Sequence, residues 1–208
     1  MLRIGYKTLL IVVIVYSLGA AGCQDGTAPA PVSRPAEQLH FIRPAPNAAP
    51  LPDTAVSFWA KRGDDRELRL YYNPQSGSTS GEAFLRFSVP AAALAQRPDG
   101  SAIAVGDSVL ISVRVIDPSR LIIEFQPSGL RFSTASPARL RFELAETDSD
   151  INGDGLVNAQ DDALKLQLSF WRQEAPGAPW LKVTSAVFTD LNEVEANVFG
   201  FSGYALAY

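Results

Sequence analysis

The sequence predicts an all-β protein, an antiparallel β-sandwich that occupies residues 53–208. Three observations support this fold class. Apolar residues alternate with polar ones in several short segments, turn-forming residues separate the segments roughly every 8–12 residues, and no stretch of the chain repeats another. The roughly 155 residues of this region are enough to bury one hydrophobic core.

The predicted strands end at residues that form turns. Residues 84–89 are mostly apolar and stop at Pro90. Residues 109–115 and 121–125 are separated by an Asp-Pro-Ser turn. We therefore predict strands over residues 56–59, 68–72, 84–89, 109–115, 121–125, 140–144 and 180–183.

The beginning of the chain resembles the signal peptide and lipidation site of a bacterial lipoprotein. Arg3 and Lys7 give a basic start, and residues 9–18 form an apolar run that is shorter than the ~20 residues a membrane span needs. Small residues then lead to Cys23, the only cysteine, with Ala20 where these proteins usually have leucine. The resemblance implies cleavage immediately before Cys23 and lipidation of its thiol. The alternative is an ordinary secretory signal that leaves a free thiol.

Lipidation of the cysteine would anchor the protein to the cell envelope, because more than one acyl chain holds a protein stably on a membrane. Gln24 follows the cysteine, and the lack of an aspartate there favours the outer membrane in a bacterium with two membranes. Removal of the signal peptide, residues 1–22, takes away two basic and no acidic side chains, so the net charge changes from −4 to −6. This acidic balance argues against nucleic acid as a partner, since phosphate binding needs a basic surface.

Residues 23–52 are rich in proline and alanine and contain few large apolar side chains. Such a composition buries too little surface to offset the entropy of ordering the chain, so we predict a disordered tether between the lipid and the folded domain. His40, the only histidine, lies in this tether. The alternative to a plain linker is a small docking patch formed by Leu39, Phe41 and Ile42.

Residues 150–161 have the pattern of a twelve-residue calcium-binding loop. Side chains with oxygen atoms occupy loop positions 1, 3, 5, 9 and 12, and Gly155 at position 6 permits the sharp turn that folds them around one ion. The predicted ligands of this Ca²⁺ cofactor are Asp150, Asn152, Asp154, the carbonyl of Leu156, Asn158 and Asp161. Three carboxylates, one of them the short Asp161 where glutamate is usual, predict a Kd of about 10⁻⁵ to 10⁻³ M. The alternative is a solvated turn whose side chains cap its own backbone.

The segment after the loop distinguishes two architectures. Leu164, Leu166, Leu168 and Phe170 alternate with polar residues, which predicts a strand. Leu164, Leu168 and Trp171 would also share one face of a helix, as dockerins and EF-hands require after the loop. A dockerin carries two such loops, and the chain shows only one. We therefore predict a calcium loop inserted between two strands, with a dockerin-like module as the runner-up.

Three segments resemble, in the same order, the ZU domain, a β-sandwich shared by ankyrins and netrin receptors. Residues 87–94 are similar to the family's strand that ends in Val-Pro-x-Gly-Ala-Leu, with Ala92 in place of the glycine. Residues 125–140 resemble its central passage, Pro-x-Gly-x-x-Phe followed by Pro-x-x-Leu, and residues 198–205 resemble its terminal Phe-Ser-x-Tyr strand. The resemblance covers about residues 82–208 and implies a non-catalytic interaction or structural module.

The sequence accordingly predicts a non-catalytic, lipid-anchored module of the cell envelope, structural or protein-binding, with a structural calcium site. One histidine is too few for most Ser-His-Asp and Cys-His arrangements, and no glycine-rich phosphate loop is present, so we expect no enzyme. The expected partners are the membrane, through the lipid, and an envelope protein or a glycan.

Two other function classes stay open. A calcium-dependent carbohydrate-binding or adhesion module would use exposed tryptophans for stacking, and the candidates are Trp59, Trp171 and Trp180. A glycan-acting hydrolase would need paired carboxylates, and the candidates are Glu124, Glu143 and Glu146. Tryptophans packed in the core and glutamates on the solvated faces of strands are the simpler interpretations of the same residues.

Overall fold

Two antiparallel sheets make up most of the computed structural model, which describes residues 30–53, 55–75 and 81–208. The strands in chain order are β1 (Ser33–Arg34), β2 (Val56–Lys61), β3 (Arg66–Tyr71), β4 (Ala83–Val89), β5 (Leu94–Gln96), β6 (Ser108–Asp117), β7 (Ile122–Gln126), β8 (Arg131–Phe132), β9 (Ala138–Glu143), β10 (Ser169–Gln173), β11 (Trp180–Lys182), β12 (Ser185–Phe188), β13 (Glu193–Val198) and β14 (Gly203–Ala207). The described residues also form a 3₁₀ helix at Ala36–Gln38 and an α-helix, α1, at Ala159–Lys165. The predicted signal peptide and Cys23 lie outside the described residues.

The larger sheet has seven strands in the order β1-β11-β10-β14-β7-β6-β2, and the smaller has five in the order β12-β13-β9-β4-β3. Strands β5 and β8 form a separate two-stranded ladder. All strand pairs formed by the described residues are antiparallel. The prediction of an all-β antiparallel fold is therefore confirmed, and each predicted strand segment overlaps an observed strand.

The main core lies between the two sheets and is rich in aromatic rings. The ring centroids of Phe87 in β4 and Phe125 in β7 are 4.8 Å apart, and those of Phe142 in β9 and Phe170 in β10 are 5.4 Å apart. Each pair joins the five-stranded sheet to the seven-stranded sheet, and all four side chains are fully buried. Burial of one such side chain contributes roughly 1.5–3 kcal/mol, so these contacts hold the two layers together.

Residues 31–52, called the N-terminal segment below, pack on the sandwich. Strand β1 pairs with β11 at the edge of the seven-stranded sheet, and both Leu39 and Ile42 are buried. The prediction of a disordered tether over residues 23–52 is therefore wrong for this segment. The domain begins at residue 31 and not at residue 53.

A second, smaller hydrophobic cluster explains why the N-terminal segment is ordered. Trp171 and Trp180 lie on the outer face of the seven-stranded sheet and are almost completely buried, together with Leu39. The ring centroid of Phe41 lies 5.3 Å from that of Trp180. These few apolar residues of the segment cover two tryptophans that would otherwise face water. The average composition of the segment, which is dominated by proline and alanine, does not indicate their contribution.

The chain after the loop is first helical and only then extended. Asn158 caps the start of α1, and its side chain and that of Asp161 form a reciprocal capping box. The strand predicted over residues 164–170 is therefore wrong for residues 164–168, which form the end of α1 and the turn after it, because this local bonding outweighs the alternation of apolar residues. The prediction is correct from Ser169, where a strand runs to Gln173. No helix within the described ranges is long and apolar enough to cross a membrane.

Candidate functional site

The candidate site is the loop at residues 150–161, which leads from β9 into α1. Arg43 of the N-terminal segment fixes its start, because the guanidinium donates hydrogen bonds to the carbonyl of Asp150 at 3.2 Å and to the carboxylate of Asp148 at 3.3 Å. The backbone N–H of Asp148 donates to the carbonyl of Arg43 at 2.8 Å. Two segments that are far apart in sequence therefore meet at the first predicted ligand.

The carboxylate of Asp150 accepts hydrogen bonds from three backbone N–H groups of the loop. The donors are Gly153 at 2.8 Å, Asp154 at 3.1 Å and Gly155 at 2.8 Å. Gly153 and Gly155 have φ angles of +76° and +86°, a conformation that residues with a Cβ rarely adopt. The two glycines thus let the backbone curl around the side chain of Asp150.

Asn152 and Asp154 bond to each other and to the next turn of the loop. The amide of Asn152 donates to the carboxylate of Asp154 at 3.0 Å, and its carbonyl oxygen accepts from the backbone N–H of Asp154 at 2.9 Å. The backbone N–H of Leu156 donates to the carboxylate of Asp154 at 2.8 Å. Leu156, predicted to bind the ion through its carbonyl, has an exposed side chain.

Asp161, at the last position of the loop, closes it. Its side chain is buried and accepts from the backbone N–H groups of Ile151 at 2.9 Å, Asn152 at 3.3 Å and Asn158 at 2.9 Å. The hydrogen bond from Asn158 and those from the start of the loop hold the pKa of Asp161 below its ordinary value, although burial opposes them. The structure thus brings the two ends of the loop together on one charged carboxylate.

The residue types of the loop fit a calcium ion, which prefers carboxylate and carbonyl oxygens. An ionised carboxylate has about four lone-pair positions, so an oxygen that accepts an N–H can still bind a cation. Within the described residues, however, no three His, Cys, Asp or Glu side chains are gathered in a group that could hold a metal ion. The observed arrangement is a loop ordered by its own hydrogen bonds, and a bound ion would require Asp150, Asp154 and Asp161 to turn toward one centre.

A cavity of about 200 Å³ lies beside the loop, next to α1. Leu144 and Leu168 supply apolar walls, and Asp161 and Lys165 supply charged ones. The ammonium of Lys165 donates to the side chain of Asn192, which belongs to the turn before β13. The buried carboxylate of the loop thus borders a small cavity of mixed polarity.

The three tryptophans do not form a common platform. Trp171 and Trp180 are buried under the N-terminal segment, whereas Trp59 of β2 is 62% exposed. Trp59 lies opposite Leu110 of β6, which is 45% exposed, on the outer face of the seven-stranded sheet. Only Trp59 is therefore open to a ligand.

The three candidate glutamates lie apart, but one has an acidic partner that the sequence analysis missed. Glu124 lies in β7 of the seven-stranded sheet, and Glu143 lies in β9 of the other sheet. Glu193 of β13 stands directly opposite Glu143, and burial together with the charge of Glu193 raises the pKa of Glu143. Glu146 borders a different cavity, beside Tyr72. Only the register of β9 against β13 shows that these two glutamates are neighbours, and the sequence alone does not reveal that register.

Comparison with known proteins adds no family to these observations. No protein-family model matches the chain, and no curated protein matches it either.

Proposed function

We propose that the protein is a non-catalytic, lipid-anchored module of the cell envelope, structural or protein-binding, in which the loop at residues 150–161 binds one calcium ion. The main support for the calcium proposal is that hydrogen bonds hold the loop in a curled conformation. Asp150 and Asp161, its first and last oxygen ligands, accept hydrogen bonds from six backbone N–H groups. A loop that is already curled loses little further conformational entropy when it takes an ion.

The proposed ligands have separate tasks. Asp150, Asn152 and Asp154 supply side-chain oxygens from one arm of the loop, and Leu156 supplies its carbonyl. Asn158 and Asp161 supply oxygens from the arm that enters α1. The ion contributes positive charge, which offsets the mutual repulsion of the three carboxylates and makes the connection between β9 and α1 more rigid.

The expected stabilisation follows from the affinity range. At 1 mM calcium, a Kd between 10⁻⁵ and 10⁻³ M corresponds to ~0.4–2.7 kcal/mol of added stability. For a domain of this size, each kilocalorie shifts the Tm by roughly 2–4 °C. A thermal unfolding experiment can therefore resolve all but the weakest binding in this range.

The test is thermal unfolding of the full chain in 1 mM calcium and in excess chelator. We expect a higher Tm with calcium, and we expect Asp154→Ala to remove the difference because it deletes a proposed ligand. Asp162→Ala is the matched control, since Asp162 is an exposed aspartate in the first turn of α1 that is not a proposed ligand. An equal Tm in calcium and in chelator, or a calcium effect that Asp162→Ala also removes, would contradict the calcium proposal.

The lipid anchor is tested separately. The apolar segment and small residues that precede Cys23 support lipidation. In cells fed an alkyne fatty acid, the wild-type protein of the membrane fraction should carry the label. Cys23→Ala should abolish both the label and the membrane association. Label that persists in the variant, or a wild-type protein that is never labelled, contradicts lipidation and leaves the calcium experiment unaffected.

The non-catalytic part of the proposal is supported by composition and by the order of the ZU-like segments. The only histidine, His40, stacks on the ring of Tyr208 with centroids 4.9 Å apart. This ring contact gives the imidazole a packing role between the N-terminal segment and the C-terminal residue. A glycan hydrolysis that is lost in Glu143→Gln and retained in Glu195→Gln would contradict a non-catalytic role.

A further inference from the structure

The outer face of the seven-stranded sheet is covered over only one half. The N-terminal segment lies over the small side chains of Ala205 and Ala207 in β14 and over the buried Trp171 and Trp180. The covered cluster ends at Ile122 of β7, and toward β6 and β2 this face has no such cover in the described part of the chain and carries the exposed Trp59. Trp59 and the exposed Leu110 opposite it form a contiguous apolar patch, and such patches mark interaction surfaces.

A groove runs into this face where β14 contributes a glycine. Gly203 pairs with Glu124 of β7 on one side and with Gln173 of β10 on the other. Because Gly203 has no side chain, the space between these two longer residues stays open. The resulting cavity, called the outer-face groove, has a volume of about 290 Å³ and is also lined by Gln126 and Ile116.

The polar side chains of the groove are held in place and keep unused hydrogen-bonding atoms. The amide nitrogen of Gln173 donates to the carbonyl of Ala178 at 2.8 Å, which leaves the amide oxygen of Gln173 as an acceptor. The amide oxygen of Gln126 accepts from the backbone N–H of Ser128 at 2.9 Å, which leaves its NH₂ group as a donor. Fixed donors and acceptors side by side match hydroxyl groups, which both donate and accept.

The charges of the groove cancel. The carboxylate of Glu124 lies 3.7 Å from the guanidinium of Arg114, and Glu174 is paired with Arg172. A groove whose carboxylates are each matched by an arginine has no net charge with which to select an ion. The side chain of Ile116, which is exposed at its wall, adds an apolar contact for the C–H face of a ligand.

We propose that the outer-face groove binds a neutral oligosaccharide, with Glu124, Gln126 and Gln173 bonding to its hydroxyl groups and Trp59 stacking on a second sugar unit. Trp59 in β2 is three strands away from Gly203 in β14, which at ~4.8 Å per strand is about 14 Å across the sheet. Trp59 pairs with Leu110, whereas Glu124 beside Gly203 pairs with Arg114, four residues further along β6, so the offset along the strands adds about 14 Å and the separation is about 20 Å. This distance calls for an oligosaccharide and not a single sugar. The site uses none of the loop's residues, so binding is independent of calcium and of the lipid anchor.

The experiment measures binding of the full chain to immobilised neutral oligosaccharides of three to six units, namely cello-, xylo-, manno- and chito-oligosaccharides, with polygalacturonate as the charged probe. We expect binding to at least one neutral series, unchanged by chelator. Gly203→Ala should weaken it at least tenfold, because the methyl group enters the floor of the groove. The nearest atoms to that methyl group are 3.7–3.9 Å away, an ordinary contact, so the variant keeps its fold.

Two further variants and one control complete the test. Gln173→Ala and Trp59→Ala should each weaken binding, the first by removing an acceptor and the second by removing the stacking surface. Phe188→Ala is the control, since Phe188 is an exposed aromatic residue in β12 of the opposite sheet. Failure to bind every neutral series, preference for polygalacturonate, loss of binding in chelator, or binding that Gly203→Ala and Trp59→Ala leave unchanged overturns the proposal.

Discussion

Glu143 of β9 stands directly opposite Glu193 of β13, so two carboxylates face each other on the five-stranded sheet. The guanidinium of Arg86 lies 3.5 Å from the first, and that of Arg141 lies 3.1 Å from the second. Even with these partners, burial and the charge of Glu193 raise the pKa of Glu143. The folded protein therefore holds a proton at this position more tightly than the unfolded chain does.

We expect Glu143→Gln to reduce the pH dependence of stability on the acidic side of neutrality. A raised folded-state pKa contributes stability that is fully present below the ordinary glutamate value of 4.5 and is lost as the pH rises through the folded-state pKa. Solvent screening keeps the effect to ~0.2–1 kcal/mol, the size of a like-charge pair in a sheet. Urea unfolding at pH 4 and pH 7 measures it, and between these two values the wild-type protein should lose this contribution to the free energy of unfolding, whereas Glu143→Gln should not.

Glu195→Gln is the control for that prediction. Glu195 lies opposite Arg141, whose guanidinium donates to its carboxylate at 2.5 Å, so no like charge is removed. This variant should be destabilised at pH 7. If both variants show the same pH dependence, the carboxylate pair is not its cause.

Asp161→Ala should destabilise the loop even without calcium. The substitution leaves the N–H groups of Ile151, Asn152 and Asn158 without their acceptor and removes half of the capping box of α1. In chelator, we expect Asp161→Ala to lower the Tm by at least a few degrees. Asp162→Ala, which truncates the exposed neighbouring side chain, should change the Tm little. Equal effects of the two substitutions would show that the hydrogen bonds of Asp161 contribute nothing specific.

The same aspartate predicts a loss of stability in acid. Because the folded-state pKa of Asp161 is lowered, its contribution is present above the ordinary aspartate value of 3.8 and is lost as the pH falls through the folded-state pKa. Unfolding measured between pH 5 and pH 2 should therefore show a steeper decline for the wild-type protein than for Asp161→Asn. Parallel curves for the two proteins would contradict the prediction.

Gly155→Ala should affect both stability and calcium binding. A Cβ at this position meets nothing within 4 Å, so the penalty of about 1 kcal/mol comes from the φ of +86° alone. Gly100 has a φ of +83° and equally open surroundings in a turn remote from the loop in sequence, which makes Gly100→Ala a matched control. Both variants should lose similar stability in chelator, but only Gly155→Ala should lower the Tm increase caused by calcium. A similar calcium effect in both would argue against an ion in this loop.

Leu39→Ala should loosen the N-terminal segment and expose the tryptophans beneath it. Leu39 is buried against the cluster that contains Trp171 and Trp180, so its truncation should cost about 2 kcal/mol and shift the tryptophan emission to longer wavelength. Val32→Ala, at a half-exposed position in the same segment, should leave emission and urea midpoint unchanged. Unchanged emission in Leu39→Ala would mean that the segment does not protect these tryptophans.

The strands could be predicted because their apolar and polar side chains alternate, as successive side chains of a strand point to opposite faces of the sheet. Leu140, Phe142 and Leu144 are buried, while Arg141 and Glu143 between them are only partly so, which is the alternation that the sequence shows. Short-range patterns of this kind need no knowledge of the partner strand. The pairing of Glu143 with Glu193 does need it, so the acidic pair could not be foreseen.

The two wrong predictions have different physical causes. The helix α1 begins because Asn158 and Asp161 bond locally to the backbone, and the alternation of Leu164, Leu166 and Leu168 says nothing about such bonds. The N-terminal segment is ordered by tertiary contacts of a few apolar residues, which an average over a proline-rich segment cannot detect. The oxygen-rich loop was recognisable from its spacing, but the hydrogen bonds that order it were not.

The contact between Arg43 and the loop has a mechanical consequence. The N-terminal segment first pairs with the edge of the sheet through β1 and β11, then packs on the cluster around Leu39. It next contacts the loop through Arg43, which forms hydrogen bonds with Asp148 and Asp150. Tension applied at the N terminus of the domain would peel the two-residue ladder first and load the packed cluster next. Only after both had yielded would the force reach the loop, so the segment shields the loop from strain.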